Sequence, residues 1–329
     1  MRETFEQYDI KRVLGRGYQG VVYLVQTPSG NQYAMKVSPV LPVHVALPAN
    51  PASPVWREIE FCSVMNKKYP DMFAQMRAHL INYDCDHDQA AELDKNCKDA
   101  DDRERLLRRF ATRICSVFFY DLLDATLGEL YAAPATIHPN VSYDIFIQCV
   151  NIVRAMRREK YSHGDLSINN IMVRETPKKY LVIANKRVPT HGYQCAAIDF
   201  AMVAPIRPGK PECVCDMVSL LYIAAGMTIQ CAIPRKHKDV YIPPQYAAKL
   251  ALIISGVDPA VRAKCATLMH ELKQVLFKLL FFEQYNAILK HDKMTYTEFL
   301  SHDSIVFIVH HLFEPDTVLA YLLNNKNKH

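Results

Sequence analysis

Three polar residues in the middle of the chain have the types and spacing to handle protons and metal ions. Asp165 and Asn170 lie in His163-Gly164-Asp165-Leu166-Ser167-Ile168-Asn169-Asn170, and Asp199 lies in Ile198-Asp199-Phe200. An aspartate can orient a hydroxyl nucleophile and take its proton, while an asparagine and a second aspartate offer the hard oxygen donors that magnesium prefers. The chemistry that suits this set is phosphoryl transfer. Each residue alone would equally suit a turn or a helix cap. The reading therefore depends on whether upstream elements supply the other half of a nucleotide site.

They do so in Val13-Leu14-Gly15-Arg16-Gly17-Tyr18-Gln19-Gly20-Val21-Val22-Tyr23-Leu24-Val25, a G-x-G-x-x-G pattern followed by a β-branched run. A third glycine opening a helix would suggest a dinucleotide site. Here it opens a strand, and Thr27-Pro28-Ser29-Gly30-Asn31 turns into a further strand, Gln32 to Ser38. The glycines are expected at the tip of a β-hairpin, where the missing Cβ lets backbone amides close over phosphates. Lys36 sits on the third strand in Tyr33-Ala34-Met35-Lys36-Val37. By default a strand lysine is a solvated edge residue, and only its neighbours argue otherwise.

Taken together, these stretches resemble the eukaryotic-type protein kinases: the glycine loop, the strand lysine, the loop histidine-x-aspartate-leucine-x-x-x-asparagine, and aspartate-phenylalanine-glycine. The resemblance implies ATP and Mg2+ as cofactors. It assigns Asp165 as catalytic base, Asn170 and Asp199 as metal ligands, and Lys36 as the group on the α- and β-phosphates. Leu14, Gly15, Arg16, Gly17, Tyr18, Gly20, Val22, Ala34, Lys36 and Met172 become the nucleotide-binding residues, and Phe119 to Leu123 the segment that hydrogen-bonds adenine. Glu58, in Trp56-Arg57-Glu58-Ile59-Glu60-Phe61, is the partner expected to orient Lys36, with Glu60 as the competing choice. Asp216 is expected at the start of an apolar helix, bracing the catalytic loop as an N-cap would.

The departures from the family pattern are specific. Gly164 stands where arginine is usual, Ser167 where serine/threonine kinases place lysine, and Ala201 where the last glycine is usual. Arginine at the first position commonly binds a phosphate on the activation segment. Here the segment from Asp199 to Asp216 is short and holds no Ser, Thr or Tyr, so control by its phosphorylation is not expected. Val188-Pro189-Thr190-His191-Gly192-Tyr193 followed by Ile198-Asp199-Phe200 resembles the same region in serine/threonine kinases of large nucleocytoplasmic DNA viruses. The histidine-glycine-aspartate-leucine form is also similar to aminoglycoside and choline phosphotransferases, which act on small molecules. Those families generally lack the full glycine triad present here. A nucleotide-binding scaffold is the third alternative, although Lys36, Asp165, Asn170 and Asp199 are all retained.

The expected architecture is α+β and bilobal: a small β-rich N-lobe over 1–122 and a larger, mainly helical C-lobe over 123–329, with a shortened activation segment. A chain of 329 residues, 50% hydrophobic, can bury two cores. Three antiparallel strands are expected over 8–38, then an extended proline-studded connection through Pro39, Pro42, Pro48, Pro51 and Pro54. The helix of Glu58 follows, with further strands at Ala78 to Tyr83 and Ile114 to Tyr120 around a partly helical insert from Asp84 to Arg113. Tyr143 to Lys160 should be a helix, and Tyr180 to Ala184, Lys186 to Pro189 and Gln194 to Ile198 suggest an extra hairpin between the metal ligands. Residues 234–329 have a helical pattern, with apolar stripes such as Leu272, Val275, Leu276 and Leu279.

Composition narrows the partners. A net charge of +5 with dispersed basic residues argues for acidic partners and gives no case for a nucleic-acid domain; protein substrates are what the kinase resemblance implies. Ten cysteines without a C-x-x-C pair suggest reduced thiols in a cytosolic or nuclear setting, or in host cytoplasm or a virion if the chain is viral. The run Asp84-Cys85-Asp86-His87-Asp88 reads as a polar loop rather than a metal site. Met1 to Gln7 is charged, so no signal peptide is expected. Met217 to Ile233 is short for a bilayer and carries Ser219, Thr228 and Gln230, so a buried core helix is expected there and no membrane span.

Overall fold

Alternating apolar residues and tight turns build an antiparallel sheet at the start of the chain: β1 (Asp9–Gly17), β2 (Gly20–Gln26), β3 (Gln32–Pro39), β4 (Met76–Asp84) and β5 (Ile114–Asp121), in the order β1-β2-β3-β5-β4. The computed structural model describes residues 7–17, 19–45, 53–84, 114–132, 137–206, 212–228, 242, 244–266, 268–281, 300 and 302–326. Tyr18, residues 85–113, most of the proline-studded connection and residues 229–241 lie outside the described residues. The architecture is α+β, a small β-rich N-terminal part followed by a helical C-terminal part. Two compact units result, Met1–Leu123 with Asp199–Val203, and Asp124–Ile198 with Ala204–His329. The five residues from Asp199 thus belong with the N-terminal unit, which the division at 122/123 did not foresee.

Period two sorts the sheet of the first unit into faces. Val21, Tyr23, Val25, Met35, Val37, Cys115, Val117 and Phe119 form one buried cluster, with Tyr8, Val13 and Leu80 against it. Their neighbours in sequence point the other way. Register pairs Val22 with Lys36, Lys36 with Phe118, and Ala34 with Tyr120, so Val22, Ala34, Lys36, Phe118 and Tyr120 share the second face. Helix α2 (Pro54–Lys68) buries Glu58, Phe61, Cys62 and Met65, the i, i+3, i+4, i+7 stripe of one helix face. A short helix α1 (Pro42–Val45) precedes it, which corrects the expectation of a wholly extended connection. Proline at a helix's first position gives up an N–H that has no partner there anyway, and both Pro42 and Pro54 are so placed.

The second unit is built around two helices. In α4 (Pro139–Arg158), which follows the short α3 (Leu127–Ala132), every residue from Val150 to Val153 is buried, as are Tyr143 and Ile145 to Cys149. Helix α5 (Glu212–Thr228) is buried from Asp216 to Met227. Helices buried all round are central core helices. Among the described residues, no helix is long and apolar enough to cross a membrane. The remaining helices are α6 (Pro244–Gly256), α7 (Pro259–Lys264), α8 (Met269–Leu280), α9 (His302–His310) and α10 (Pro315–Asn325). Helix α8 packs on α5, and α10 on α4. The expected apolar stripe at Leu272, Val275, Leu276 and Leu279 is buried.

Short strands complete this unit: β6 (Ala125–Thr126), β7 (Tyr161–Ser162), β8 (Ile171–Glu175), β9 (Tyr180–Ile183), β10 (Lys186–Pro189), β11 (Tyr193–Ala197) and β12 (Ala204–Pro205). They pair as β11-β8-β6, β10-β9 and β12-β7. The extra hairpin is therefore β9–β10 alone, since β11 pairs with β8 rather than extending it. Cys62, Cys149, Cys195 and Cys265 are free and buried. Cys115 is disulfide-bonded, a departure from the expectation that all thiols are reduced.

Candidate functional site

In the first unit the functional groups converge on Lys36. Strand β3 holds it on the second face of the sheet, where it is only 7% exposed. Its Nζ lies 3.0 Å from Glu58 Oε1 and 2.8 Å from Asp199 Oδ1. Helix α2 settles the choice between the two glutamates, because Glu58 lies on its buried stripe while Glu60 is exposed. Burial alone would lower the Lys36 pKa, but the Glu58 and Asp199 carboxylates together outweigh it and raise the pKa above the usual lysine value. The ammonium form is thereby fixed at any physiological pH.

Asp199 owes its position to its neighbour. Phe200, fully buried, opens a single 3-10 turn (Phe200–Met202) and packs in an aromatic cluster, 4.8 Å from Phe61, 6.2 Å from Phe73 and 6.3 Å from Tyr120 between ring centroids. Burying one phenylalanine contributes roughly 2–3 kcal/mol, enough to outweigh the local cost of about 1 kcal/mol for the left-handed backbone of Asp199 at φ 60°. Tyr120 adds a contact that no local sequence pattern signals: its hydroxyl donates to Glu58 Oε1 at 2.8 Å. Burial pushes the Tyr120 phenol well above its usual pKa, so it remains a neutral donor.

The glycine pattern lies where β1 turns into β2, with Gly15 opposite Val22, Arg16 opposite Val21 and Gly17 opposite Gly20. Its glycines have different reasons. A Cβ on Gly20 would stand 2.1 Å from the Val37 carbonyl oxygen, so glycine is required there by the approach of β3; at Gly15 the space is open. Leu14 falls at a register shift in β1. Val22 and Ala34 lie on the Lys36 face. In the segment from Phe119 to Leu123, expected from the resemblance to meet adenine, the sheet claims Phe119 to Asp121, whose last N–H donates to the Gln75 carbonyl at 3.0 Å. This leaves Leu122 and Leu123 as the residues between strand and unit boundary.

In the second unit the loop after β7 carries Asp165 and Asn170. Asn170 turns its amide nitrogen onto Asp165, 2.7 Å from the backbone carbonyl and 3.3 Å from Oδ2. The amide oxygen is then the atom left to accept or ligate. The Ile198 amide donates to the Asn170 carbonyl at 3.0 Å, and His163 Nε2 lies 2.9 Å from the Ile198 carbonyl. Both ends of the loop are therefore tied to the chain just before Asp199. Met172 lies in β8 opposite Ala196 and Thr126.

Asp216 fastens the other side of the loop. It accepts from the Ser162 hydroxyl at 3.0 Å, the His163 N–H at 2.8 Å and the Gly164 N–H at 3.1 Å. It is not an N-cap: α5 begins at Glu212, and Asp216 stands a full turn inside it. Gly164 has φ 76°, a left-handed backbone that residues with a Cβ adopt reluctantly. Its amide reaches Asp216 in this conformation. Among the described residues no group of three or more His, Cys, Asp or Glu side chains could hold a metal ion.

A scan of protein-family models found no match for the chain, and a search of curated proteins found none.

Proposed function

We propose that the chain is a bilobal protein kinase, transferring the γ-phosphoryl group of ATP to serine or threonine hydroxyls of proteins with Mg2+ as cofactor. The observation that carries this reading is the Lys36 ammonium held by two carboxylates of unequal exposure, Glu58 at 4% and Asp199 at 33%. One buried carboxylate suffices for a structural ion pair. A second, accessible one beside the same cation can exchange that lysine for a metal ion, leaving Lys36 to a phosphate while Glu58 keeps it in place.

Asn170 and Asp199 would hold the magnesium, each offering a side-chain oxygen of the hard type it requires. When bound, the ion would neutralise charge on the phosphates. The protein residues do the rest. Lys36 binds phosphate oxygens, and the backbone around Gly15, Gly17 and Gly20 covers them. Asp165 accepts the proton of the attacking hydroxyl as its oxygen bonds to the γ-phosphorus. The bond from that phosphorus to the β–γ bridging oxygen breaks, and ADP leaves with the electron pair.

A second reading, transfer to a small molecule of aminoglycoside or choline type, rests on Gly164, whose left-handed backbone matches the histidine-glycine-aspartate form better than an arginine would. Purified chain with γ-labelled ATP and magnesium, offered a protein panel and an aminoglycoside and choline panel, separates these. Label on protein serine or threonine is expected. Label on the small molecules alone would replace the proposal with the second reading, and ATP binding without transfer would leave a nucleotide-binding scaffold.

A further inference from the structure

The β9–β10 hairpin, inserted between Asn170 and Asp199, has no part in the chemistry above. Ala184 and Asn185 turn it with φ 47° and 63°, the left-handed pair of a type I′ turn. Paired residues share a face, so Leu181 with Val188 and Ile183 with Lys186 point one way, and Tyr180 with Pro189 and Val182 with Arg187 the other. The inner face is filled: Ile183 and Val188 are buried, and Lys186 reaches Asn324 of α10. On the outer face Tyr180 is 52% and Val182 74% exposed.

The backbone of β9 follows the same parity. A two-residue turn makes Ile183 and Lys186 a hydrogen-bonded pair, and the Thr190 N–H donates to the Lys179 carbonyl at 3.1 Å further along. Tyr180 and Val182 therefore fall at non-hydrogen-bonded positions, where N–H and C=O point away from β10. Pro189, opposite Tyr180, loses no ladder bond for the same reason. Among the described residues no third strand joins the β9 edge.

Charge selects what could join it. Between Thr176 and Ile198 the chain carries Lys178, Lys179, Lys186 and Arg187 and no acidic residue. All four are exposed. At the hairpin base, a concavity of about 470 Å³ is lined by Lys178, Lys179, Tyr180, Thr190, His191 and Gly192. Asp144, paired with the lining residue His191 at 2.8 Å from Nε2, is also paired with Lys326, and Glu175 ends β8 just before the hairpin segment.

We propose that this edge is a docking site for an acidic, extended segment of a partner protein, which adds as a strand along Tyr180 and Val182 and sets its carboxylates on Lys179 and Arg187. Outward N–H and C=O groups at strand spacing suit another strand. The lysines repel the equally basic edge of a second copy of this chain, as edge lysines do. Four exposed cations, one of them held on Asn324, make a small footprint for a nucleic acid, whose binding scales with the number of phosphates neutralised.

The test is fluorescence anisotropy with the full chain and a labelled peptide of about ten residues made of glutamate, valine and tyrosine, with glutamates on both faces of the strand so that one can reach Lys179 and another Arg187. Binding that weakens with salt is expected. The double variant Lys179→Glu, Arg187→Glu should bind about tenfold more weakly, and its thermal melt should match wild type because both side chains are exposed. The same peptide N-methylated at alternate residues, offered to wild type, should also lose binding because it cannot complete a strand ladder. Equal binding by the double variant or by the methylated peptide would overturn the proposal, as would tighter binding of a labelled single-stranded RNA of equal length. No phosphoryl transfer is read, so this result stands apart from that of the activity assay.

Discussion

The Tyr120 hydroxyl donates to Glu58 Oε1 at 2.8 Å, and the same oxygen receives Lys36 Nζ at 3.0 Å. Two donors on one oxygen hold the carboxylate in a single orientation inside an aromatic wall. Tyr120→Phe removes one donor without changing the shape of that wall. A hydrogen bond to a charged group contributes about 2 kcal/mol, so chemical denaturation should show a loss of that order. Lys36 would be less firmly placed, and phosphoryl transfer should fall about tenfold, the equivalent of about 1.4 kcal/mol.

Asp216 collects three donors from consecutive residues, Ser162, His163 and Gly164. Asp216→Ala leaves the buried donors of Ser162 and His163 without their acceptor, at a cost of about 3 kcal/mol. Urea denaturation should register that loss. Amide exchange at His163 and Gly164 should quicken more than exchange in the middle of α4, because the brace acts on the loop.

Helix α10 is held to α4 by charge: Asp316 meets Arg154, and Arg158 at 3.0 Å. Burial alone would raise the Asp316 pKa, but its bonds to Arg154 and Arg158 prevail and lower it below the usual aspartate value. The ionised form is thus favoured by folding. The stability it contributes is complete above the unfolded aspartate pKa of about 3.9 and disappears as pH falls through the lower folded value. Asp316 is 59% exposed, so solvent screening limits the effect to about 1 kcal/mol or less. Thermal melts of wild type and Asp316→Asn should differ slightly at pH 7 and converge as pH falls through that lowered value.

Between Asp199 and Asp216 the chain offers no hydroxyl to phosphorylate. Phosphatase-treated protein should keep its transfer activity within about twofold, a change under roughly 0.5 kcal/mol. Loss of activity on treatment would place a phosphorylation switch elsewhere in the chain.

Much of this arrangement was legible in local sequence, because strands advertise themselves by β-branched residues and turns by glycine, proline and asparagine. The paired strands around Lys36 and the insert hairpin follow from such patterns. Proline misled at α1, since Pro42 read as a breaker sits where a helix tolerates it. Asp216 misled in the same way: the apolar run from Met217 marked the buried part of α5, while the helix itself starts at Glu212. Glu58 and Glu60 could not be separated by composition, only by which face α2 buries. The Tyr120 contact, between residues 62 positions apart, depends on β5 register and had no local signal at all. Gly164, read as a missing arginine, is also a backbone position with φ 76° that favours glycine.

In the proposed mechanism Asp165 takes the proton of an attacking hydroxyl while other residues bind the nucleotide. Asp165→Ala, compared with wild type for label transfer from γ-labelled ATP and for the thermal shift on adding ATP with magnesium, tests it most directly. Transfer should fall by at least about a hundredfold, the usual contribution of a general base, while the thermal shift is retained. Wild-type turnover by Asp165→Ala would contradict it.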